Sequence, residues 1–108
     1  MDEAFHLSLD VTDDADVVMC TAVGEIDSQT APKLEGEVRA ALFSSSASTL
    51  VIDLSRVTFM DSAGLRVVID LHRAMQERVG CLVLRRPSAT VARLLEITNL
   101  GASLQIEP

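Results

Sequence analysis

Leu50-Val51-Ile52-Asp53-Leu54-Ser55-Arg56-Val57-Thr58-Phe59-Met60-Asp61-Ser62-Ala63-Gly64-Leu65 is the stretch on which the fold turns. Its first five residues form a short, nearly continuous apolar run, the pattern of a strand covered on both faces. From about Ser62 the apolar spacing becomes helical. Leu65, Val68, Ile69 and Met75 make one stripe, Val67, Leu71 and Ala74 widen it, and Arg66, Asp70, Arg73 and Glu77 alternate in sign outside it. A strand, a loop opening at Ser55 and an amphipathic helix make up half of an α/β crossover.

Upstream, Phe5, Leu7, Leu9 and Val11 alternate with His6, Ser8, Asp10 and Thr12, which predicts a strand with one buried face. Asp13-Asp14-Ala15-Asp16 makes a turn. Val17 to Val23 is apolar on both faces and rich in β-branched residues, so it reads as a more central strand paired with the first as a hairpin and ended by Gly24. From Thr30, with Pro32 early, the positions Ala31, Leu34, Val38, Ala41 and Leu42 predict a first helix. The polar tract Ser44 to Ser48 breaks it as a connection.

Downstream, Gly80 terminates the second helix, Cys81 to Leu84 supplies a strand, and Arg85-Arg86-Pro87 marks an exit. A third helix is expected from near Ser88 or Thr90, burying Val91, Leu94 and Leu95. It ends around Asn99 to Gly101, before a last short strand at Ser103 to Ile106. The fold class is therefore α/β. A mixed sheet with an N-terminal hairpin and right-handed α/β crossovers is expected, with about five strands and three main helices, in one domain over residues 1–108.

Composition narrows the function. With 108 residues, 48% of them hydrophobic, the chain is long enough to bury roughly two-thirds of its unfolded surface. Sixteen acidic against nine basic residues give a formal charge of -7, which repels phosphate backbones and anionic lipids. Three Phe and no Trp or Tyr leave little to stack on bases, so no direct nucleic-acid binding is expected. The amino terminus is acidic where a signal peptide is basic, and no apolar run approaches the roughly 18 residues of a membrane span, so a cytoplasmic chain is expected. Cys20 and Cys81 lack CxxC or zinc spacing and read as reduced core thiols; no metal or cofactor is expected.

The crossover pattern aims ligand and partner sites at the loop ending in Asp61-Ser62. Asp61 or Ser62 can cap the second helix, and Ala63 and Gly64 are small enough to leave its first turn uncovered. Unpaired N–H groups and the helix dipole there would favour a phosphate on Ser62. Two readings of Ser62 stand on these grounds: a cap alone, or a modifiable hydroxyl. Catalysis finds no support. Ser62 lacks the Gly-x-Ser-x-Gly elbow, His6 and His72 lie on an early strand and well along the second helix, and no phosphate-cradling loop or kinase signature occurs.

Val57-Thr58-Phe59-Met60-Asp61-Ser62-Ala63-Gly64-Leu65 resembles the signature loop of STAS domains, the family of bacterial anti-sigma factor antagonists. Gly24-Glu25-Ile26-Asp27 with Thr30-Ala31 resembles the family's turn before its first helix, and Pro87-Ser88 through Leu94 to Leu100-Gly101 its carboxyl-terminal helix. Ile26 where Leu is usual, and Ala63 where some members carry a second small hydroxyl, are departures that leave the fold expectation intact.

The resemblance implies a non-enzymatic switch phosphorylated at Ser62 by an anti-sigma factor with serine kinase activity and reset by a phosphoserine phosphatase. The unphosphorylated form binds the kinase and releases a sigma factor; phosphorylation ends that binding. It also implies a partner surface of Asp27, Asp61, Ser62, Ala63, Gly64 and Arg66, on a monomer or weak dimer. The competing expectation is a STAS adaptor or scaffold subunit of a stress-signalling assembly or lipid-transport ATPase, with no sigma-factor control.

Overall fold

The computed structural model describes residues 6–108; Phe5, expected to open the first strand, lies outside them. Five strands form one sheet in the order β1 (Leu7–Asp14), β2 (Val17–Ile26), β3 (Thr49–Met60), β4 (Cys81–Arg85) and β5 (Gln105–Glu107). β1 and β2 are the expected antiparallel hairpin, turning at Ala15 with φ +55°. The pairs β2–β3, β3–β4 and β4–β5 are parallel and are bridged by α1 (Ala31–Phe43), α2 (Ser62–Glu77) and α3 (Ala89–Ile97). A 3₁₀ turn, Leu100–Ala102, leads into β5. The mixed five-stranded, three-helix α/β architecture is the one expected.

Two strands run further than their apolar pattern indicates. β3 continues through Ser55 to Met60, where a loop was expected, and β2 continues past Gly24 to Ile26. Beyond Asp53 the strand β3 has lost β4 and pairs with β2 alone, through Arg56↔Val23, Val57↔Gly24, Phe59↔Glu25 and Met60↔Ile26. Register shifts between Thr21 and Val23 and between Gly24 and Glu25 bury Val57 and Met60 three residues apart. The period of two that announces a strand is broken there, although the backbone pairing persists.

A monotonic strand order with crossovers of one hand puts all three helices on the same side of the sheet. That side holds the core: Val18, Cys20, Leu50, Ile52, Leu54, Leu82 and Leu84 from the strands, with Leu34, Val38, Leu71, Met75 and Val91 from the helices. The expectation of a strand covered on both faces is corrected. Val51, 5% exposed, and Asp53, 6% exposed, point to the face that carries no helix among the described residues. Long side chains shield it instead, where Arg85 donates to the Met19 sulfur at 3.9 Å and to Glu107 at 2.6 Å. Both cysteines are free; burial, with Glu37 and Asp10 nearby, pushes the Cys20 thiol up to about 12, and Cys81 is half-buried.

Asp53 is the one charged residue in the apolar run, and its partners explain its place. Its Oδ1 accepts from the Ser55 N–H at 2.9 Å and the Ser55 hydroxyl at 2.7 Å, and its Oδ2 accepts from the Arg86 guanidinium at 2.7 Å. Burial alone raises this carboxyl, but Arg86 and Ser55 overcome it and bring it down from 3.8 to about 2. A depressed carboxyl stabilises the fold above its unfolded-state value and loses that contribution as pH falls through its folded-state value. Asp53 is therefore predicted to contribute on the order of 2 kcal/mol, complete above about pH 4 and lost toward about pH 2. Urea unfolding should show an Asp53→Asn deficit near neutrality that narrows across that window; a deficit independent of pH would contradict the assignment.

Candidate functional site

The last paired residues of β2 and β3 are Ile26 and Met60, so the next residues, Asp27 and Asp61, emerge side by side at the carboxyl edge of the sheet. The Asp61 N–H donates to the Ile26 carbonyl at 3.2 Å and ties the two exits together. Asp61 has extended backbone and is the cap of α2: its Oδ1 accepts from the N–H of Ala63 at 2.9 Å and of Gly64 at 3.3 Å. Its carbonyl accepts from Leu65 N–H at 3.0 Å.

This settles which residue caps the helix, because Asp61 does the capping and Ser62 is left exposed as the first residue of α2. It also corrects the expectation of free N–H groups at this terminus. Of the four amides a helix leaves unpaired at its start, those of Asp61, Ala63 and Gly64 already have acceptors. Removing the cap with Asp61→Ala is predicted to cost about 1 kcal/mol, and Asp61→Asn most of an order less, since the amide oxygen still accepts. Thermal unfolding of the two variants checks this; equal losses would mean that the charge, not the cap, matters to stability.

Asp27 has a comparable local duty before α1. Its Oδ1 accepts from the N–H of Gln29 at 2.9 Å and of Thr30 at 3.0 Å, and its carbonyl from Ala31 N–H at 2.7 Å. The Thr30 hydroxyl, buried at 8% exposure, accepts from Asp27 N–H at 2.9 Å and donates to the Glu25 carbonyl at 2.7 Å. The Thr30 N–H is the main reason the Asp27 carboxyl lies below its ordinary value, against some burial and with help from Gln29, the Thr30 hydroxyl and His6. Asp27 is thus held as an anion at the strand end beside Asp61.

The two small residues after Ser62 do different things. Ala63 is half-buried at the surface, whereas Gly64 is buried. A Cβ at Gly64 would stand 2.7 Å from Met60 Cγ, 2.8 Å from Ile26 Cγ2 and 3.0 Å from the Ile26 carbonyl oxygen. Close packing of α2 on the strand ends therefore requires this glycine, and it does not uncover the first turn as expected.

Along α2, an open groove of about 640 Å³ starts at Ser62 and is lined by Leu65, Arg66, Ile69, Asp70 and Arg73. Ile69, which the helical pattern assigns to the buried stripe, is half-buried and forms an apolar floor in this groove. Its place one step beyond Val68, at the margin of the stripe, is the only sequence signal of that. Arg66 and Arg73 are exposed, so the groove is locally basic on an acidic chain. Among the described residues no His, Cys, Asp and Glu group could hold a metal ion, and no helix is long and apolar enough to cross a membrane.

Comparison with known proteins agrees with the fold. The STAS domain matches residues 8–108. An anti-sigma-B factor antagonist of Listeria monocytogenes is 34% identical over 103 residues, covering 94% of this chain and 90% of its own length. The crystal structure of an anti-sigma factor antagonist from Mycobacterium paratuberculosis superposes with a TM-score of 0.83 at 29% identity, over 94% of this chain and 86% of that one. The unphosphorylated form of the anti-sigma factor antagonist SpoIIAA gives 0.80 at 22% identity, over 94% and 89% respectively, a likeness of fold.

Proposed function

This chain belongs to the STAS-domain family of anti-sigma factor antagonists, and from that premise we propose that it is a partner switch set at Ser62. Unphosphorylated, it binds an anti-sigma factor that is also a serine kinase, and so releases a sigma factor. The kinase moves the γ-phosphoryl group of ATP to the Ser62 oxygen, the hydroxyl proton leaves, and ADP remains. A phosphatase hydrolyses the ester with water, restoring the hydroxyl and releasing inorganic phosphate. The chain itself acts by binding, in the cytoplasm, and one STAS unit suffices.

The observation that supports this reading is the division of labour between neighbours: Asp61 caps α2 while Ser62 stands exposed with no capping duty. Esterifying such a hydroxyl changes the surface and leaves the scaffold in place. The partner surface comprises Asp27, Asp61, Ser62, Ala63 and Arg66, with the buried Gly64 contributing through the backbone geometry it permits.

Incubation with the candidate anti-sigma kinase and ATP tests the proposal. Intact mass should rise by one phosphate on the wild-type chain and not on Ser62→Ala, and Ser62→Ala should still bind the kinase. Kinase binding with no phosphate at Ser62 would favour an adaptor role instead.

A further inference from the structure

We infer that Arg66 receives the phosphate of phosphorylated Ser62, so that the guanidinium offered to a partner by the unmodified chain is withdrawn into an intramolecular ion pair. The inference rests on Ser62 being the phosphoacceptor and concerns what the modification then does.

The helix terminus cannot hold the phosphate by itself. Asp61 Oδ1 already occupies the N–H groups of Ala63 and Gly64, and the Asp61 N–H is taken by the Ile26 carbonyl. Only the N–H of Ser62 itself is left to donate among the described residues. The carboxylates of Asp61 and Asp27 also flank the site, and both repel an added dianion. The phosphate is therefore pushed away from the sheet edge and along the helix, toward a cation of the groove that Ser62 itself lines.

That cation is Arg66. It lies four residues after Ser62 on α2, hence on the same face and roughly 6 Å along the axis, and both residues line the same groove. Asp70, one turn further, is the rival anion for Arg66, but among the described residues the two form no ion pair. Arg73, the other cation of the groove, is eleven residues from Ser62, roughly 16 Å along the axis and beyond direct contact. A guanidinium holds a phosphate through two parallel N–H bonds, a geometry that a lysine cannot reproduce.

The test installs phosphoserine at position 62 during synthesis and follows its ³¹P resonance against pH. Its outcome therefore does not depend on any kinase acting on the chain, and a failed kinase reaction would count against the proposed function alone. A bound guanidinium favours the phosphate dianion, so the second ionisation, ordinarily near pH 6, should lie about half a pH unit lower in the wild-type chain than in Arg66→Gln. Arg66→Lys should recover part of that shift, and Arg73→Gln should leave the wild-type titration in place. Coincident wild-type and Arg66→Gln curves, or a shift lost in Arg73→Gln instead, would overturn the assignment.

Discussion

Gly24→Ala is expected to destabilise the fold by at least about 3 kcal/mol, lowering the melting temperature by roughly 12 °C or more. Gly24 has φ +123°, a conformation that L side chains rarely adopt. An added Cβ would lie 2.1 Å from the His6 carbonyl oxygen and 3.3 Å from Leu7 Cα, so the obstacle is backbone and no side-chain rotation relieves it. The same carbonyl accepts from Glu25 N–H at 2.6 Å, which fixes β1 against the irregular part of β2. The register shift there sets Ile26 opposite Met60, and with it Asp27 beside Asp61. The substitution should therefore loosen the site as well as the sheet. Thermal unfolding checks the magnitude, and a melting temperature within a degree or two of wild type would show that the strand pair adapts more easily than its geometry implies.

Element order and type were legible because most elements carry a clean period. α2 shows it best, with Leu65, Val68, Leu71 and Met75 buried as their spacing predicts. The strand ends were not legible: Gly24 looks like a terminator, and Ser55-Arg56 look like the start of a loop. Pairing partners decide those positions, since Arg56 to Met60 are held by β2 after β4 has ended. Asp53 was hidden for a related reason, because an acid in an apolar run gains meaning only once Arg86, thirty-three positions away, closes on it. At the site, the Asp61-Ser62 pair was visible, but which of the two caps the helix depends on backbone angles. Gly64 likewise reads as an open surface until Ile26 and Met60 are placed against it.

Phosphorylation of Ser62 is expected to weaken binding of the anti-sigma partner by about a hundredfold or more, equivalent to roughly 2.7 kcal/mol. The modification adds a charge of about -1.5 to -2 where Asp27 and Asp61 already stand, and it leaves the partner to accommodate three anionic groups in one contact. Taking that added charge out of water in the contact costs several kcal/mol. Loss of Arg66 to the phosphate removes an attraction at the same moment. Ser62→Asp, with a single shorter charge, should reproduce only part of the effect, about tenfold. Ser62→Ala adds no charge and should bind as wild type does.

The most direct test is a calorimetric titration of the anti-sigma partner with the wild-type chain in two states, unmodified and fully phosphorylated at Ser62. Tight binding by the first and a loss of about two decades in the second is the expected result. Equal affinities for the two states would contradict a switch at Ser62.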